Sequence, residues 1–146
     1  MLDDGSDDEA QCQHIREENG ALLGEFSTWL ADAGLSTTTI RSHRYNVDFF
    51  VNHFLLSYDT LRPAEGIGSI AEFLGDWFIR KAAWSSARSI KANAASLKKF
   101  YAFMAAKELI KPEELSVLNR QIKEDMPEWL ETIEKYNDLD IDLDDV

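Results

Sequence analysis

The chain of 146 residues contains one cysteine and three prolines, and no apolar run approaches the ~20 residues that a membrane-spanning helix requires. A lone cysteine, Cys12, excludes an internal disulfide and a cysteine-based metal cluster. Its acidic neighbours make it a poor nucleophile, so it reads as a bystander. Basic residues are missing from the start, where a secretory signal would carry them; the expected address is the cytoplasm, with no membrane partner. There is no phosphate-binding glycine loop, no HExxH, no GxSxG and no ligand set with metal spacing. The only histidines are His14, His43 and His53, and His43 falls on the inner half of its helix, where packing is its expected role. Carboxylate pairs are confined to low-complexity acidic surroundings. Nothing marks an active site, so no enzymatic activity and no cofactor are expected of this chain.

What is present suits a folded domain: 45% of the residues are hydrophobic, with eight Phe and four Trp. The net charge of −12 argues at first against nucleic acid, yet the charge is segregated. Residues 1–35 carry a net −8, residues 36–111 a net +5, and residues 112–146 a net −9. The acidity belongs to the flanks and the middle is basic.

Periodicity divides the chain into helices. Residues 1–12 are expected to be disordered, being acidic and interrupted by glycine. A first helix carries Leu22, Leu23, Phe26, Trp29 and Leu30 to about Ala33, with Gly34 as its left-handed terminator. Its start is open, and Asn19 is one candidate cap. Ser36 caps a second helix with Ile40, Val47, Phe50, Val51 and Phe54 on one face, and Arg41 and Arg44 at its edge. Residues 58–68 form a loop, after which Ser69 and Glu72 make a capping box for a helix bearing Ile70, Phe73, Leu74, Trp77 and Phe78. Pro112, Glu113 and Glu114 open a short helix with Leu115, Leu118 and Ile122. Asp125 and Glu128, bracketing Pro127, open another with Trp129, Leu130, Ile133 and Tyr136. Residues 138–146 read as a frayed acidic tail. The expected fold is all-α, with two short helices (residues 112–137) appended to a domain over residues 13–111.

The stretch from Ser85 to Lys107 organises the rest. On a helix, Ile90, Ala94, Leu97, Tyr101 and Met104 share one face, widened by Phe100 and Phe103. Arg88, Lys91, Lys98 and Lys99 share the opposite face. Such a basic stripe is either an ordinary solvated face or a surface for an anionic partner.

Two segments carry a family resemblance. GLSTTTIRSHRYNVDFFVNHF, Gly34 to Phe54, resembles the LS-x-x-T-I-x-x-Y helix of the N-terminal core-binding (SAM-like) domain of phage integrases and other tyrosine recombinases. AASLKKFYAFMAAKELI, Ala94 to Ile110, resembles that family's S-A-L-R-x-F-Y-x-F-L helix. The resemblance covers about 60% of the chain, Leu22 to Ile110. It implies a four-helix bundle forming one half of a clamp around duplex DNA. It also implies non-specific, mainly phosphate contacts from Thr39, Arg41, Arg44, Ser86, Arg88, Lys91, Lys98 and Lys99. His43 stands where the family usually has Tyr, and Glu108 where Gly closes the last helix. The family's catalytic motifs have no counterpart, so the implied role is a DNA-binding or DNA-recombination accessory module, acting with a recombinase or other protein partner. The rival reading is a protein-interaction or regulatory domain on the same fold, its acidic flanks contacting a partner or masking the basic face. The C-terminal helices either restrain DNA binding through their acids or simply complete the core.

Overall fold

A computed structural model of the chain describes residues 5–57 and 59–144, and the side chains of residues 8–57 and 59–137. Among the described residues all regular structure is helical. Helix α1 spans Gly5–Asp32. Helix α2 (residues 37–54) is α-helical over Thr37–Asp48 and π-helical over Phe49–Phe54. A 3-10 turn, Glu65–Ser69, leads into α3 (residues 70–81), whose middle, Phe73–Trp77, is again π-helical. Helices α4, Ala87–Ala106, and α5, Pro112–Asp144, complete the chain. Contacts gather these elements into two compact units, one up to Gly66 and one from Ile67 onward.

In the first unit α1 packs against α2. Gly34 terminates α1 as expected, at φ +92°. Its N–H donates to the Ala31 carbonyl (3.0 Å) and that of Leu35 to the Leu30 carbonyl (3.2 Å), closing a Schellman motif. Ser36 then caps α2, its hydroxyl accepting from the Thr39 N–H at 3.2 Å. The buried side chains include Ile15, Leu23, Phe26 and Leu30 from α1, and Val47, Phe50, Val51 and Phe54 from α2. Trp29, expected in the core, is only half-buried and stacks on Phe26 with ring centroids 6.5 Å apart.

Asn19 is not a cap. Helix α1 runs straight through it, and through Gly20 and Gly24. The Asn19 side chain is 2% exposed and its Nδ2 donates to Asn52 Oδ1 (2.8 Å) and to the Val51 carbonyl (3.4 Å). Asn52 donates onward to Asp48 Oδ1 at 2.7 Å. A buried amide must find partners, and α2 supplies them to a residue in mid-helix. The start of α1 also differs from expectation: residues 5–10 are helical rather than irregular. Asp8 and Glu9 sit in the first turns, where negative charge complements the helix dipole. Residues 1–4 and 145–146 of the expected flexible ends lie outside the described residues.

In the second unit α4 packs against α5, and the π-helical turn of α3 packs against both. Ser69 does not cap α3 through its side chain; its backbone, at φ −101° and ψ 5°, lacks the extended conformation that an N-cap requires. Ser69 is the last residue of the 3-10 turn, and it takes the geometry of that turn. The two expected short C-terminal helices are one continuous helix, with Pro127 inside it. Leu118, Ile122, Trp129 and Ile133 keep a single helical phase across the proline, and all four are buried. A proline in a helix interior costs about 3 kcal/mol. Burial of large side chains on both sides, each contributing about 1.5–3 kcal/mol, offsets it. Residues 138–144, expected as a frayed tail, continue α5. Helix α5 therefore completes the core of this unit instead of being appended to it.

Two predictions follow from the packing of α4 and α5. A Cβ placed on Gly75 would lie 2.7 Å from Cδ1 and Nε1 of the buried Trp129 indole. Gly75→Ala is expected to destabilise the protein by about 1–3 kcal/mol through overpacking, read as a lower urea midpoint; an unchanged midpoint would contradict this docking of α5 on α3. Helix α4 ends in a second Schellman motif, with Leu109 N–H on the Met104 carbonyl (2.8 Å) and Glu108 N–H on that of Ala105 (3.0 Å). Glu108 holds the left-handed position at φ +60°, which costs a non-glycine residue about 1–2 kcal/mol. Glycine relieves that strain and adds a smaller, opposing entropy in the unfolded chain. Glu108→Gly should raise the melting temperature, whereas a fall would refute the assignment of strain.

Candidate nucleic-acid interface

Helix α4 begins at Ser86, which forms a reciprocal capping box with Ser89. The Ser89 N–H donates to Ser86 Oγ (3.1 Å) and the Ser86 N–H to Ser89 Oγ (2.8 Å). Ser89 Oγ also donates to the Trp84 carbonyl at 3.2 Å, so the preceding turn is tied to the first turn of the helix. Ser85 reinforces it, with Oγ donating to the Ile79 carbonyl (3.2 Å) and N–H to the Ala82 carbonyl (3.1 Å). The apolar face is buried as expected: Ile90, Ala94, Leu97, Phe100, Tyr101, Phe103 and Met104 are each at most 2% exposed. Full burial pushes the Tyr101 phenol pKa upward. Asn93, also buried, donates to the Ser89 carbonyl at 2.8 Å, and its Oδ1 has no hydrogen-bond partner among the described residues.

With that face buried, Arg88, Lys91, Lys98 and Lys99 all emerge into solvent. They occupy an arc of about 100° and a length of about 16 Å along the helix. Between them lie the exposed methyls of Ala92 and Ala95. None of the four pairs with a carboxylate among the described residues. Other cations are engaged locally. Arg80 binds Asp76 through two bonds, Nε to Oδ1 (2.9 Å) and Nη2 to Oδ2 (3.0 Å), and these lower the Asp76 carboxyl pKa. Lys135 pairs with Glu131 at 3.1 Å.

The other expected contact residues belong to the first unit. Thr39 is exposed but serves the N-cap of α2: its N–H donates to Ser36 Oγ and its hydroxyl accepts from the same group at 3.0 Å. Arg44 donates to Ser27 Oγ of α1 at 3.3 Å. Arg41 is exposed one turn away. Arg62 is held by Glu18 at 2.9 Å, and the hydrogen bond from Arg62 lowers the Glu18 carboxyl pKa. His43, expected to pack in the core, is half-buried. The structure thus gathers Arg88, Lys91, Lys98 and Lys99 on one helix face, while Thr39 and Ser86 act in helix caps.

Sequence reasoning passed over Trp84, which is 48% exposed and lies three residues before the start of α4. Its signal was available: a lone tryptophan in a segment of Ala and Ser, with no acid between Asp76 and Glu108. Elsewhere in the second unit an open groove of about 330 Å³ is lined by Ile67, Gly68, Glu113, Val117, Leu118 and Gln121. No protein-family model, curated protein or solved structure matches the chain.

The capping box is testable by itself. Ser86→Ala should cost about 1 kcal/mol of stability and Ser86→Gly only a few tenths, both measured by urea denaturation. Equal losses for the two variants would mean that the hydroxyl does not cap α4.

Proposed function

We propose that the chain is a non-catalytic DNA-binding module whose α4 face lies along the phosphate backbone of a duplex. The carrying observation is the set Arg88, Lys91, Lys98 and Lys99, exposed on one face of a helix and unpaired with any carboxylate among the described residues. The resemblance to the SAM-like core-binding domain of tyrosine recombinases supports the same helix, and makes an accessory role in DNA recombination the reading of choice. Net charge is a weaker guide than local density, because charges separated by more than ~8 Å are largely screened at physiological salt. The interaction is electrostatic and independent of base sequence, since phosphate contacts position a protein without reading bases.

A second reading, a protein-interaction domain, is favoured by the groove beside Val117, whose side chain is 57% exposed above an apolar floor. Truncation after Lys111 does not discriminate between the two, because Leu118, Ile122, Trp129 and Ile133 are part of the core. Surface substitution does. Four neutralised phosphates give a slope of log affinity against log salt of about −3.6, at about −0.9 per contact. Replacing Arg88, Lys91, Lys98 and Lys99 by Gln should leave the melting temperature nearly unchanged. The same variant should abolish most of the affinity for a fluorescent duplex and flatten the slope, measured by anisotropy between about 50 and about 200 mM salt. Wild-type affinity in this folded variant would remove α4 as the interface; a Val117→Glu variant that alone loses a partner would favour the second reading.

A further inference from the structure

We infer that Trp84 is a stacking platform for an unpaired base, so that the α4 site prefers a duplex adjoined by a single-stranded segment over a blunt duplex. The inference rests on the DNA-binding reading above and specifies its ligand. Trp84 presents 48% of its surface to solvent, although the indole is anchored by a T-shaped contact with Phe78 (centroids 6.2 Å apart, planes at 82°). The turn that carries it is fastened by Ser89 Oγ on its own carbonyl, and by Ser85 on the Ile79 and Ala82 carbonyls. An aromatic ring held in this way loses little conformational freedom on binding. Lys81 lies three residues before it and Arg88 four after, both exposed, and the segment from Trp77 to Lys107 contains no acid.

An exposed aromatic beside a track of cations is the combination that binds single strands: the cations follow the phosphates and the ring stacks on whichever base is offered. Fully paired bases are stacked on each other and present no free face. The other exposed large apolar side chains have different surroundings. Tyr45 is followed one turn later by Asp48, Leu109 adjoins Glu108, Val117 follows Glu113 and Glu114 by one turn, and Tyr136 follows Glu134. Trp84 alone among them combines a fastened turn with sequence neighbours that include cations and no acid.

The test uses the intact chain and three labelled ligands in anisotropy titrations: a blunt duplex, the same duplex with an oligo-dT extension, and free oligo-dT. For the wild type the extension should raise affinity on the order of tenfold. Trp84→Leu, which keeps an apolar contact for Phe78 without a π face, should lose that gain while binding blunt duplex as before. Trp84→Phe should retain most of it. The variant with Gln at Arg88, Lys91, Lys98 and Lys99 should lose affinity for every ligand. Absence of any gain in the wild type overturns the inference and leaves the DNA reading standing, provided that blunt duplex binds. A gain that survives in Trp84→Leu, or an equal loss by Trp84→Leu on blunt and extended duplex, also overturns it. If no ligand binds, both readings fall together.

Discussion

Ile90, Leu97, Phe100, Tyr101 and Met104 must leave water together, because they lie on one side of a single helix and each contributes about 1.5–3 kcal/mol when buried. Everything else in the second unit follows from that demand. Helix α3 brings Phe73, Leu74 and Phe78, and α5 brings Leu118, Ile122, Trp129 and Ile133, as the remaining apolar surfaces. Close approach is bought at Gly75, whose missing side chain leaves room for the Trp129 indole. Once the apolar face is committed, the opposite face of α4 has only one place to go. Its cations are exposed because the core fixes the rotation of the helix, with no interaction of their own required.

Much of this was legible in the residues. The stripe of α4 has the helical period over about four turns, and a period that long survives almost any tertiary context. Gly34 and Ser36 were equally plain, because a left-handed terminator and an N-cap depend on local backbone geometry alone. What misled was local chemistry taken without its surroundings. Asp125, Pro127 and Glu128 look like a helix start, yet the phase that joins Ile122 to Trp129 is unbroken and outweighs the missing N–H. Ser69 looks like a cap, but its place at the end of the 3-10 turn withholds the extended conformation. Asn19 looks like a helix boundary until Asn52 and Val51, more than thirty residues away, are seen to receive its amide. In each case structure beyond the short motif, from the adjoining turn to a partner more than thirty residues away, decided what the motif left open.

The two Schellman motifs show how the same backbone solution tolerates different residues. Gly34 takes the left-handed position without strain, whereas Glu108 takes it against the preference of its own side chain. The bonds formed are the same in both, to the carbonyls three and five residues back. At Glu108 the helix must stop because Ile110 is buried and Pro112 begins the next helix within a few residues. Topology therefore overrides propensity.

The cations of α4 are placed where they do least for the fold. Arg88 lies in the first turn, where positive charge opposes the helix dipole at a cost of about 0.3–1 kcal/mol. Arg88 and Lys91 are three residues apart, a like-charged spacing that is unfavourable by about 0.2–0.5 kcal/mol. Other charges are complemented locally: Arg80 has Asp76 and Lys135 has Glu131, each four residues away, and Glu113 and Glu114 occupy the favourable first turn of α5. With 27 acidic residues available, none falls between Asp76 and Glu108 to relieve α4. On the DNA-binding reading proposed above, groups that are unfavourable in the free chain would become points of attachment for phosphates.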